Sequence, residues 1–240
     1  MNRFIGILQF MTRIPIKADI GFDEEFHKSI VYFPLVGFVI GLISFLIGSL
    51  AIKIFDPFVT SILVVAGEVI LTGGLHIDGL GDTFDAIYSN RDKERMLEIM
   101  KDSRLGTNSL LAILFLVLIK IGLLNSLISA NLMCLIIFMP MISRLAVIVM
   151  LYKTVTPRKV GMGNIFIGKA TLGMFITATV YTSVILVLIS KFIFLSTNIN
   201  LIKILSSILV VMLFNQLFKK SVYKKIDGVT GDILGCTIEL

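Results

Sequence analysis

Charge is scarce in this chain: 16% of its 240 residues are Asp, Glu, Lys or Arg, where a soluble domain carries about a quarter. That shortage excludes an ordinary water-soluble globule. Histidine and cysteine are scarcer still, with two of each. His27 and His76 are too few for a histidine-rich metal centre. Cys134 and Cys236 have neither zinc-site spacing nor a disulfide framework, and Cys134 falls in an apolar run where a small packing role is the default. Internal repeats and low-complexity tracts are missing, so residues 1–240 read as one domain. Residues 1–30 carry charges throughout and lack the ordered pattern of a cleaved signal peptide. Alternating segments of about 10 residues, the mark of a transmembrane barrel, are missing too.

What the chain has in excess is apolar sequence, with 56% hydrophobic residues and a mean hydropathy of +0.97. Val31 to Ile52 is a run of 22 residues without a charge; as a helix it reaches roughly 33 Å, enough to cross a hydrocarbon core. With no water there to satisfy the backbone, a helix is the form that closes its own hydrogen bonds. Five further blocks, Phe58–Gly74, Ser109–Ile128, Leu132–Tyr152, Leu172–Leu195 and Leu201–Phe218, bring the expected spans to six. Phe58–Gly74 is short and contains Glu68, which predicts a tilted or partly re-entrant segment. The expected fold is an all-α, polytopic membrane helix bundle.

The charges sort by connection. With both termini on the cytoplasmic side, residues 1–30, 75–108, 153–171 and 219–240 face the cytoplasm and hold 17 of the 22 Lys and Arg. The opposite connections are short and hold none, apart from Lys53 at the border of the first. This asymmetry follows the positive-inside rule and sets the orientation. Of the 16 Asp and Glu, only Asp56 and Glu68 fall outside the same four segments. The net charge of +6 therefore has a topological explanation, with attraction to anionic headgroups as an addition. Nothing resembles a nucleic-acid-binding module.

The segment from Leu71 to Thr107, LTGGLHIDGLGDTFDAIYSNRDKERMLEIMKDSRLGT, is the richest in chemistry. It leaves the second block through Gly73–Gly74, a pair suited to a tight turn. Asp78, Asp82 and Asp85 follow, and on a helix they fall within roughly 60° of arc. Carboxylates on one stripe repel one another unless a cation joins them. Hard oxygen ligands suit Mg²⁺, which binds a few carboxylates while keeping water and substrate phosphate oxygens. A solvated acidic face is the plainer alternative; the glycines on either side and the adjoining span favour a metal site on the cytoplasmic side. His76 suits catalysis or a structural hydrogen bond equally well. Residues 91–104 read as an amphipathic helix. At its end Arg104 can hold a phosphate by two bonds and Lys101 can add a point charge, although both also suit an ordinary loop.

Two smaller clusters follow. GMGNIFIGK, residues 161–169, sets three glycines and Asn164 beside Arg158, Lys159 and Lys169 and could present N–H groups and charge to an anion. IDGVTGDILG, residues 226–235, offers Asp232 as a further acidic ligand and Thr230 as a phosphate contact. Inside the spans, Glu68, Lys120 and Arg144 are costly unless paired or facing a wet cavity. They support a rival reading, a membrane transporter with these three lining the pathway, although the inverted repeats common in such folds are missing. Pro140, four residues before Arg144, predicts a kink.

The motifs FMTRIPI (10–16), YFPLVGFVIG (32–41), TGGLHIDGLGDTFDA (72–86), RMLEIMKDSRLGT (95–107), GMGNIFIGK (161–169) and GVTGDILG (228–235) together resemble the cobalamin synthase family. The resemblance covers nearly the whole chain and is most specific in GGLHIDGLGDTFD and EIMKDSRLGT. Members continue past the Thr-Gly-Asp segment into another apolar stretch, whereas this sequence ends at Leu240. The resemblance implies a Mg²⁺-dependent transferase that joins adenosylcobinamide-GDP to α-ribazole, or its 5′-phosphate, and releases GMP. Given that reaction, the charge pattern assigns Mg²⁺ to Asp78, Asp82 and Asp85, with Asp232 as a further ligand, and proton transfer to an aspartate such as Asp82 or to His76. Substrate contacts fall to Lys101, Arg104, Asn164, Lys169 and Thr230. Membrane lipid is the expected surrounding, and assembly into a homo-oligomer is left open.

Overall fold

The computed structural model describes residues 2–18, 23–193 and 201–240. Ten α-helices make up the described chain, which contains no β-strand. They are α1 (Asn2–Met11), α2 (Phe33–Ala51), α3 (Pro57–Thr72), α4 (Leu75–Ile87), α5 (Lys93–Ile99), α6 (Thr107–Ser129), α7 (Phe138–Leu151), α8 (Leu172–Ile193), α9 (Leu201–Ile226) and α10 (Gly231–Glu239). Short 3-10 turns lead into α2 and α7.

Among the described residues, five helical stretches are long and apolar enough to cross a membrane: Phe26–Ala51, Thr107–Ser129, Met133–Leu151, Leu172–Lys191 and Leu205–Ile226. The sixth candidate is a pair, α3 and α4, bent by 90° at the break between them. The bend falls at Gly73–Gly74, where the block expected to be tilted or partly re-entrant ends. Positions 194 and 195, the end of the expected fifth block, lie outside the described residues.

Burial separates the central helix from the peripheral ones. In the most apolar 18 residues of the stretch that ends with α7, 72% are buried, against 11% in those of α6. Leu110, Leu114, Phe115, Leu118 and Ile119 instead point outward from α6, as a lipid-facing surface requires. Helix α2 reaches α7 through small residues. A Cβ on Gly41 would meet the Ile137 carbonyl oxygen at 2.6 Å, and one on Gly37 would meet that of Pro140, so the two backbones approach as close-packed membrane helices do. Pro140 does not interrupt α7. It stands in the first turn of α7, where its missing N–H has no intrahelical partner to lose.

The four charge-rich segments meet one another. Phe166 packs against Phe10 and Phe26, joining 153–171 to 1–30. Lys93 pairs with Asp227 at 2.9 Å, and Arg158 with Asp232 at 2.7 Å. The backbone N–H of Arg13 donates to the Leu71 carbonyl at 2.7 Å, tying the N-terminal segment to the α3–α4 break. The polar parts of the chain therefore gather around α4. The expected amphipathic helix over 91–104 is shorter than its sequence pattern: Asp92 caps α5 by accepting from the Arg95 N–H at 2.9 Å, and the helix ends at Ile99 with Met96 and Met100 buried.

Candidate active site

Helix α4 starts from two glycines in the left-handed region, Gly73 at φ 64° and Gly74 at φ 72°, a backbone state that side chains disfavour. They turn the chain so that α4 folds back against α6 and α10. Its contact with α10 is backbone to backbone: a Cβ on Gly79 would lie 2.7 Å from the Asp232 carbonyl oxygen and 3.2 Å from Gly235 Cα. This approach delivers Asp232, in the first turn of α10, to the neighbourhood of the α4 carboxylates.

Asp78 and Asp82 line one cavity of about 270 Å³ together with Lys101, Ser103, Arg104 and Ser109. Asp78 is exposed and Asp82 half-buried. Asp85 turns elsewhere. Its two oxygens accept the Gly106 N–H at 2.7 Å and the Ser109 N–H at 2.9 Å. The N-cap of α6 is Gly106, with no side chain of its own to bond the first turn, so a carboxylate from α4 does that work. The negative charge also complements the helix dipole.

Asp232 is paired with Arg158 Nη1. Burial pushes its carboxyl above the ordinary range, and Arg158 restrains that rise. Arg158 and Asp232 both lie within electrostatic reach of Asp82. Thr230 is fully buried and caps α10, accepting from the Ile233 N–H at 3.4 Å. Asn164 donates to the Arg158 carbonyl at 3.0 Å. Lys169 is exposed and does not line the cavity. Arg104 is 83% exposed in its side chain and grips Asp102 through Nε and Nη2. Those bonds hold the Asp102 carboxyl down at about 2.

His76 is on the inner side of α4, 3% exposed, with Arg144 Nη2 donating to its Nδ1 at 3.3 Å. An arginine is always a donor, so Nδ1 is the accepting nitrogen and Nε2 carries the hydrogen. Deeper still, Lys120 joins Glu68 at 3.3 Å and Glu239 at 2.8 Å. Glu239 is the partner that sequence spacing missed, since 119 residues separate it from Lys120. Arg158 was visible only as a charge beside a glycine loop.

Among the described residues, no group of three or more His, Cys, Asp or Glu is arranged to hold a metal ion. Magnesium does not need such a cage, because it is commonly held by one or two carboxylates and completed by water and phosphate oxygens. Asp78 and Asp82, with the Ser103 and Ser109 hydroxyls in the same cavity, match that donor chemistry. Asp85 and Asp232, already engaged, match it less well.

The profile of the family described as Cobalamin-5-phosphate synthase matches residues 3–240. The chain belongs to this family. A curated relative from Clostridioides difficile (strain 630), named adenosylcobinamide-GDP ribazoletransferase, is 68% identical over 100% of this chain and 93% of its own length. A relative of the same name from Alkaliphilus metalliredigens is 44% identical over 100% of this chain and 91% of its own. One from Clostridium novyi is 38% identical over 100% and 93%. No solved structure matches the chain. As a cobalamin-5-phosphate synthase family member, the chain is an enzyme of cobalamin synthesis and a transferase. The acidic break of α3 and α4 falls within the matched residues, as do α10 and the 153–171 segment.

Proposed function

We propose that the chain is an adenosylcobinamide-GDP ribazoletransferase. It joins adenosylcobinamide-GDP to α-ribazole, or its 5′-phosphate, to give adenosylcobalamin, or its 5′-phosphate, with release of GMP. The whole-chain likeness to a relative of that name at 68% identity carries the reading. The cavity, lined by Asp78, Asp82 and Asp102 with Lys101 and Arg104, supports it, since carboxylates for a divalent cation beside cationic side chains for a diphosphate are what such a substrate needs.

Asp78 and Asp82 would hold Mg²⁺, which when bound neutralises phosphate oxygens and eases departure of the GMP phosphate. Lys101 and Arg104, at the rim, draw the anionic nucleotide by charge. The ribazole 3′-hydroxyl attacks the phosphate joined to cobinamide and passes its proton to a cavity carboxylate. Nδ1 of His76 is engaged by Arg144 behind α4, so His76 positions the helix and the carboxylates carry the acid–base work. A cavity of about 270 Å³ suits the diphosphate, and the corrinoid lies outside it. The partition of Lys and Arg supports a cytoplasmic-membrane location with this cavity facing the cytoplasm. Glu68, Lys120 and Arg144, the residues of the transporter reading, do line one cavity of about 730 Å³, with Lys120 bonded to Glu68 and Glu239; the names of the relatives favour the transferase.

The test is an assay of GMP release by purified chain mixed with Mg²⁺, adenosylcobinamide-GDP and α-ribazole. The expected result is stoichiometric GMP and corrinoid product, abolished in Asp82→Ala while membrane insertion is unchanged. Absence of GMP from well-folded wild-type chain sinks the activity, and near-normal turnover by Asp82→Ala removes Asp82 from the mechanism.

A further inference from the structure

Two arginines stand near the acidic cluster with their forks in opposite states. The Nε and Nη2 atoms of Arg104 are taken up by Asp102. Arg158 gives Nη1 to Asp232, while its Nε and Nη2 are buried and bonded to nothing. Those two nitrogens form one edge of the guanidinium plane, the donor pair that matches two oxygens of a single phosphate or carboxylate. Buried polar groups are nearly always bonded, and an exception calls for a reason.

The rest of Arg158 is braced. Its N–H donates to Thr156 Oγ1 at 3.2 Å, and its carbonyl accepts from Asn164 Nδ2 at 3.0 Å. Behind it, Gly228 lets the Val155 carbonyl approach to where a Cβ would sit 2.6 Å away. Gly163 packs likewise against Gly231 Cα, at 2.8 Å from its own would-be Cβ. The loop carrying Arg158 is thereby seated on the start of α10. Asp232 fixes Nη1, so the opposite edge keeps one orientation. Asp82 is within reach of the same charge.

We propose that the Nε–Nη2 edge of Arg158 receives two oxygens of the diphosphate of adenosylcobinamide-GDP, making Arg158, in place of Arg104, the two-bond phosphate clamp. The inference rests on the activity proposed above and adds a substrate-binding residue to it. Both nitrogens are closed to water in this state and Arg158 does not line the cavity of about 270 Å³, so the diphosphate reaches the fork from that cavity by displacing neighbouring side chains. Asn164 and Asp232 then serve as positioning residues, one for the main chain of Arg158 and one for its fork.

The experiment uses the full chain in detergent or nanodiscs, GDP as the binding probe in the presence of Mg²⁺, and KM values for both substrates. Arg158→Lys keeps a cation facing Asp232 and removes the fork. It should weaken GDP binding and raise the KM for adenosylcobinamide-GDP by about tenfold or more, leaving the KM for α-ribazole unmoved. GDP affinity and KM at wild-type values overturn the inference, as does a wild-type chain that turns over yet binds no GDP. If Arg158→Lys fails to fold, Arg158→Gln combined with Asp232→Asn removes the ion pair as a unit. GDP binding by that double variant should fall below that of Asp232→Asn alone, and equal binding overturns the inference. A wild-type chain that binds GDP through Arg158 and releases no GMP refutes the proposed reaction and leaves the clamp standing.

Discussion

Asp82 and Asp85 are less than one helical turn apart on α4 and carry the same charge, yet the structure uses them differently. Asp82 opens onto the cavity, whereas both oxygens of Asp85 are spent on the first turn of α6. Helical spacing in the sequence puts both on one stripe and says nothing of what each meets across the interface. The difference lies in α6, whose N-cap is a glycine. Asp85→Ala should therefore act on stability, costing about 1–3 kcal/mol through two unmade bonds to buried backbone N–H groups. Its melting temperature in detergent should fall well below that of Asp82→Ala, a residue whose side chain makes no such bonds. Equal melting temperatures for the two variants would return Asp85 to the candidate metal ligands. The same logic separates Thr230 and Asn164 from direct substrate contact: each spends its side chain on local backbone.

Elements meet here through glycine, and the two kinds of glycine have different visibility in sequence. Gly73–Gly74 is readable as a turn, and the structure places the 90° break there. The long apolar runs are readable as spans for the same reason, since each signal is local. Gly79 is not readable in that way. Its purpose is the approach of α10, which lies about 150 residues away along the chain, and no local pattern encodes that distance. A Cβ at Gly79 would stand 2.7 Å from the Asp232 carbonyl oxygen, whereas one at Gly122 on α6 meets nothing within 4 Å. Gly79→Ala should force α10 away from α4, costing roughly 1–3 kcal/mol as overpacking does, and should depress GMP release with it. Gly122→Ala should stay within about 0.5 kcal/mol of wild type. Thermal unfolding and GMP release measured on both variants check the contrast, and a tolerant Gly79→Ala would mean that the α4–α10 contact is not needed to place Asp232.

At the scale of the whole molecule, the charges left inside the bundle tie its parts together. Lys120 on α6 bridges Glu68 on α3 and Glu239 at the end of α10, while Arg144 on α7 reaches His76 on α4. Five helices are thus linked at the inner side of the acidic helix. Sequence reading found three of these charges and required that they be paired or face a wet cavity. It could not supply Glu239, because a glutamate next to the last residue carries no sign of an interior partner. Inside an apolar bundle such a cluster stabilises only as a set, since removing one member leaves the others charged and uncompensated. Lys120→Met takes away the cation bonded to both Glu68 and Glu239 and leaves the buried Arg144, which lies within electrostatic reach of each, to face two carboxylates alone. It should cost roughly 3–5 kcal/mol and lower the unfolding temperature sharply. Adding Glu68→Gln and Glu239→Gln to Lys120→Met removes the stranded charges and should restore most of that loss. A Lys120→Met variant as stable as wild type, or a triple variant no better than the single, would show that the cluster does not hold α10 in place. The seating of Asp232 would then have to come from the glycine contacts alone.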